Sequence, residues 1–127
     1  MFPTMRHDMT PILTYIHDHL GDHLETQDLA HRMHVSQTTF ILRFKQALGQ
    51  TPYHYLVQTR LTEAAHRLRT TATTVGTIAH DCGYTSHSHF THEFKRLIGM
   101  TPEDYRRQQA FQQTVATLPL VCALWAR

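Results

Sequence analysis

A chain of 127 residues with 41% hydrophobic and 17% charged content can fold as one domain or two small subdomains and is too apolar to be disordered. The run LPLVCALWA (118–126) is too short to span a bilayer, the start MFPTMRHDM lacks the apolar stretch of a secretory signal, and Cys82 and Cys122 form no CxxC pair, so a reduced, cytoplasmic protein with no membrane partner is the expectation. The net charge of +2 is unevenly spread: residues 1–35 carry two basic and five acidic side chains and residues 36–107 carry nine and five, so the positive charge lies where an anionic partner can use it.

Thr10-Pro11 reads as an N-cap followed by proline at the first helical position. Ile12, Ile16 and Leu20, at four-residue spacing, carry that helix to Gly21. Leu29, Ala30 and Met33 share one face of a short second helix. Ser36 is suited to cap a third, longer helix ending at Gly49, a plausible left-handed C-terminal residue, with Pro52 as a stop. From the 52–55 region, Val57, Leu61, Ala64 and Leu68 mark a continuous helix to about residue 69, which TTATT (70–74) breaks.

The pattern then recurs. LAHRMHVSQTTFILRFKQALGQTPYHY (29–55) is matched by IAHDCGYTSHSHFTHEFKRLIGMTPEDY (78–105). Ser36 pairs with Ser86, Phe40 with Phe90, Phe44 with Phe94, Lys45 with Lys95, Gly49 with Gly99 and Tyr55 with Tyr105. The offset grows from 49 to 50 between Met33 and Ser36, an insertion placed in a turn. Short helix, tight turn and longer capped helix is the helix-turn-helix arrangement, here duplicated. No strand-like alternation occurs, so the fold class is all-α, with about seven helices.

On a helical wheel, Phe90, Phe94, Leu97 and Ile98 form an inward stripe, as do Phe40, Phe44, Ala47 and Leu48. Ser88, His89, His92, Lys95 and Arg96 fall opposite, as do Thr38, Thr39, Leu42, Lys45 and Gln46. Short polar side chains near a helix start suit base edges, and cations farther along suit phosphates. The histidines of GYTSHSHFTHEF (83–94) raise a rival reading, a metal-responsive or protein-binding helical module on a His-rich surface. His89 and His92 share a face, but His87 lies well away from both, short of the three or four ligands zinc needs. No metal site is therefore expected, and, with no nucleophile–base pairing or carboxylate dyad in the sequence, no cofactor and no enzyme activity is expected either.

These residues resemble the DNA-binding domain of the AraC/XylS family of bacterial transcription regulators. The second repeat carries I-A, G-[FY], S-x-F, F-K-R, G-x-T-P and Y-R in order, and the similarity runs from residue 29 to residue 107. The length resembles that of the family's small stand-alone members. The resemblance implies two helix-turn-helix subdomains, 10–51 and 70–108, joined by a long central helix, 52–69, with residues 109–127 a tail of unknown role: an extra helix, a dimer patch or disordered. It implies base-facing residues Gln37, Thr38, Ile41 and Leu42 in copy one and His87, Ser88, His89 and His92 in copy two. Ser36, Lys45, Gln46, Ser86, Lys95 and Arg96 are the phosphate candidates. Family members often carry arginine at the positions of Leu42 and His92, and this chain does not. Ile41 and Leu42 then either contact thymine methyls or are exposed apolar residues without a role. The implied partners are double-stranded DNA, bound by a monomer at a site with unlike halves, and, for an activator, RNA polymerase. The implied location is the cytoplasm, at the nucleoid. Arg60, in the central helix, is expected to make a structural ion pair, and Cys82 to be buried and inert.

Overall fold

A computed structural model describes residues 8–116, and these form helices only. In chain order they are α1 (Thr10–Asp18), α2 (Thr26–Arg32), α3 (Gln37–Leu48), α4 (Pro52–Thr70), α5 (Val75–Asp81), α6 (His87–Ile98) and α7 (Pro102–Ala116). None of them is long and apolar enough to cross a membrane. Two compact units result. One holds the residues up to Thr62 together with Asp81–Gly83, and the other holds Glu63–His80 with the residues from Tyr84 onward. The helix α4 contributes to both.

In the first unit the buried core is Met9, Ile12, Ile16, Leu29, Ala30, Phe40, Phe44 and Leu56, with Leu20, Met33, Leu48 and Tyr55 packed partly against it. The rings of Phe40 and Phe44 lie 5.6 Å apart, and Tyr55 meets Phe44 edge-on at 5.7 Å. The second unit repeats the construction: Phe90 and Phe94 at 5.7 Å, and Tyr105 edge-on to Phe94 at 5.5 Å. Tilted and edge-to-face rings at these spacings add favourable quadrupole contacts to the area buried. The α4 face read from periodicity is buried throughout, at Val57, Leu61, Ala64 and Leu68.

Caps set the helix limits. The Ser36 hydroxyl accepts from the Thr39 N–H and the Ser86 hydroxyl from the His89 N–H, both at 3.1 Å. Gly49 and Gly99 close α3 and α6 in the left-handed conformation, each donating its N–H to a lysine carbonyl, Lys45 or Lys95, at 2.8 Å. Pro52 and Pro102 do more than stop the preceding helix: each begins the next one. The Thr51 and Thr101 hydroxyls accept from the N–H of His54 and Asp104, so Thr-Pro is here a helix start. At the end of α4, which stops within TTATT, the hydroxyls of Thr70 and Thr71 donate to the carbonyls of His66 and Arg67.

Several local expectations need correction. Thr10 is already helical, Met9 holds the N-cap position, and the Asp8 carboxylate accepts from the Thr10 N–H at 2.9 Å. Leu20 lies beyond the end of α1, which stops at Asp18, although it still packs on the core. Ala47 and Leu97, placed inward by the wheel, are exposed, Leu97 by 41%. A wheel gives direction about the axis but not how far along it a neighbouring element reaches. Residues 109–116 continue α7, whereas 117–127, including the whole apolar stretch 118–126 and Cys122, lie outside the described residues. Cys82 is buried.

The two inter-helix turns solve one problem differently. After α2 and α5 the chain must turn left-handed, and His34 (φ 61°) does in copy one what Gly83 (φ 97°) does in copy two. Thr85 is the extra residue of the second turn. A side chain at positive φ costs about 1 kcal/mol or more, so His34→Gly is expected to leave stability unchanged or raise it by up to about 1 kcal/mol, the gain being reduced by glycine's larger unfolded-state entropy. Urea denaturation measures this, and a loss above about 1 kcal/mol would show that the His34 ring contributes more than its backbone costs.

Candidate nucleic-acid interface

The outer faces of α3 and α6 are built by the same rule. Two phenylalanines one turn apart anchor each helix inward, which turns the residues between them outward. On α3 this exposes Gln37, Thr38, Leu42, Lys45 and Gln46. Leu42 is 56% exposed, a large apolar side chain among polar neighbours. Ile41 is half-buried and reaches the face only at its edge. On α6, Ser88, His89, His92, Lys95 and Arg96 are all exposed.

The sequence-derived set does not stay whole. His87 is exposed, but its Nε2 lies 4.0 Å from a Glu103 carboxylate oxygen, an orientation toward α7 rather than toward His89 and His92. The ring of His89 meets that of Tyr84 edge-on at 5.4 Å, which restrains it while leaving it exposed. Ser36 and Ser86 are both committed as caps, and the Ser36 hydroxyl also donates to the Thr39 hydroxyl at 2.9 Å. Lys45 and Lys95 are exposed and make no ion pair among the described residues, so their charges are available to an anionic partner. Arg96 instead donates Nη2 to Glu93 Oε1 at 3.0 Å. That bond, more than any other influence, holds the Glu93 carboxyl below the usual carboxylate range, against a smaller opposing effect of burial. Among the described residues no three His, Cys, Asp or Glu side chains are grouped so as to hold a metal ion.

Two arginines donate to backbone carbonyls far along the chain. Arg60 donates Nε to the Leu20 carbonyl at 3.1 Å and Nη2 to the Asp22 carbonyl at 2.7 Å, a structural role played through carbonyl acceptors. Arg106 enters the sequence reading only as the second letter of the Y-R motif, with no role attached. Its Nε donates to the Leu68 carbonyl at 3.1 Å and its Nη2 to the Thr71 carbonyl at 3.2 Å, sealing the end of α4. The motif marks the residue but not this bonding, because its acceptors are 35 and 38 positions away in sequence.

Comparison with known proteins agrees with this arrangement. A family model described as a helix-turn-helix domain matches residues 29–108. A putative AraC-like transcription regulator of Streptomyces lividans is 41% identical over 95 residues, 75% of this chain and 31% of that protein. The HTH-type transcriptional activator RhaS of Escherichia coli is 33% identical over 96 residues, 76% of this chain and 34% of that protein. The chain thus spans about a third of the length of these curated relatives. Among solved structures, the DNA-binding domain of AdpA, a global transcriptional factor in complex with a target DNA, superposes with a TM-score of 0.80 at 26% identity, over 84% of this chain and 96% of that one. With a duplicated helix-turn-helix, capped second helices and matches at this level over most of its length, the chain belongs to the AraC/XylS family of bacterial transcription regulators and carries that family's helix-turn-helix DNA-binding domain.

Proposed function

We propose that α3 and α6 each enter a major groove of double-stranded DNA, in successive grooves about one helical repeat (~34 Å) apart, and that one copy of the chain suffices for specific binding. The observation that carries this reading is the pair of exposed, unlike faces. Aligned by the repeat, positions 38/88, 39/89, 42/92 and 46/96 differ, and only Lys45 and Lys95 agree. Two unlike faces call for a site with unlike halves, for which no two-fold axis is needed. Thr38 and Leu42 read one half, with Gln37 and Ile41 at the margin. Ser88, His89 and His92 read the other, with His87 at its edge. Lys45, Gln46 and Lys95 engage phosphates, Arg96 can do so only by leaving its bond to Glu93, and Ser36 and Ser86 hold the helix starts against the backbone. Without arginine at positions 42 and 92, Leu42 contacts thymine methyls and His92 donates to a base edge. Its place of action is the cytoplasm, on the nucleoid. The likeness to a relative named as a transcriptional activator supports an activating role, and contact with RNA polymerase is the partner proposed for that role.

Selection of bound sites from a random duplex pool tests this. The expected outcome is a motif of two unlike halves with centres about one turn apart, whose affinity falls steeply between ~50 and ~200 mM salt. A palindromic motif would refute binding by a single copy. Affinity indifferent to salt would refute the phosphate contacts.

A further inference from the structure

We propose that Glu93 sets the affinity of the second recognition helix for DNA by withholding Arg96 from the phosphates, so that α6 anchors more weakly than α3. The inference rests on the DNA-binding reading above and adds a residue that reading does not use. The repeat places Arg43 where copy two has Glu93, and Gln46 where it has Arg96. The α3 sequence QTTFILRFKQAL therefore carries Arg43 and Lys45 and no acid, whereas the α6 sequence HSHFTHEFKRLI carries Lys95, Arg96 and the acidic Glu93. With histidines neutral, one helix is +2 and the other +1.

Geometry makes the difference specific. The Glu93 side chain is only 12% exposed, while that of Arg96 is 60% exposed and bonded to it at 3.0 Å. A pair at i and i+3 lies on one helix flank. The carboxylate is fixed at the edge of the reading face and the guanidinium is drawn back toward it. To reach a phosphate, Arg96 must give up that bond, and DNA must approach a carboxylate left at the margin. Arg43, half-buried at the matching position, makes no ion pair among the described residues and faces no such competition.

The test measures affinity for a duplex selected by the wild-type chain, as a function of salt, for Glu93→Gln, Arg96→Gln and the double variant. Glu93→Gln is expected to bind about fivefold tighter at ~0.1 M salt, with a salt slope steeper by about one, the signature of one more phosphate neutralised. A change confined to folding would not steepen that slope. Arg96→Gln alone is expected to shift affinity less than about twofold, and to remove most of the gain when added to Glu93→Gln. Unchanged or weaker binding by Glu93→Gln would overturn the inference, as would a gain that survives intact without Arg96. If the wild-type chain bound no duplex in a salt-dependent way, the DNA-binding reading would fall as well. If it did bind and Glu93→Gln changed nothing, this inference alone would fall.

Discussion

Replacing Gly83 by alanine is expected to destabilise the protein by about 3–5 kcal/mol, the largest effect of any single methyl group added at a glycine here. Two costs combine. Gly83 has φ 97°, where an L side chain is strained by roughly 1–2 kcal/mol. Its added Cβ would also lie 2.5 Å from the Leu20 carbonyl oxygen and 2.7 Å from Arg60 Cζ. The first of these neighbours is backbone and cannot swing aside. The second is the guanidinium that donates to the Leu20 and Asp22 carbonyls, so relieving the clash breaks charge-assisted bonds worth about 1.5–3 kcal/mol each. Gly99 is the control. Its φ is also 97°, but nothing lies within 4 Å of its Cβ position. Gly99→Ala should therefore cost only the backbone strain, about 1–2 kcal/mol. Urea unfolding of both variants decides the matter. Equal losses would mean that the close approach at Gly83 contributes nothing beyond its dihedral angle.

Leu42→Asp is expected to weaken binding to the selected duplex about a hundredfold, roughly 3 kcal/mol, while leaving the fold intact. Leu42 is 56% exposed on α3, so the folded chain tolerates the change, as surface positions do to within about 0.5 kcal/mol. Against DNA the same carboxylate is desolvated beside phosphates and has no donor to meet it. Lys45, at i+3, offers partial relief, which keeps the loss below that of a fully unpaired charge. His92→Asp, at the equivalent place on α6, should act in the same direction. Leu42→Ala separates the two roles left open for this residue. A loss of about 1 kcal/mol, fading when the thymine of the selected site is replaced, marks a methyl contact, and no change marks a bystander. Binding by Leu42→Asp within a few-fold of the wild type would remove the face of α3 from the interface.

What was legible from the residues shares one property: it depends on groups within about one helical turn of each other. Ser36 and Ser86 show their caps because the amides they accept from are three positions on. Phe40, Phe44, Phe90 and Phe94 show the inward stripe through four-residue spacing, and all four are buried. The duplication was visible as the same local signals recurring in order, Tyr55 matched by Tyr105 among them, but that each tyrosine meets a phenylalanine edge-on is a tertiary contact. The Thr-Pro starts of α4 and α7 were equally local: the central helix was placed from the 52–55 region, but the capping role of Thr51 and Thr101 went unread.

The candidate site was half legible. Which residues lie outward on α3 and α6 follows from periodicity, but how each is engaged does not. His87 turned to Glu103, His89 against Tyr84 and Arg96 bonded to Glu93 all depend on rotamers and neighbours that a wheel lacks. Leu97 was misplaced because angular position does not reveal where a neighbouring element ends.

The sequence by itself determined that this protein is helical, that its second half repeats its first, and which family's DNA-binding domain it carries, because caps, periodicity and motif order are interactions between residues close along the chain. Only the tertiary structure decided that Arg60 and Arg106 close distant carbonyls, and that Gly83 must be glycine for lack of space as well as for its dihedral angle. Those contacts join residues tens of positions apart. Their partners are backbone oxygens, which every residue carries and no side-chain pattern can therefore mark.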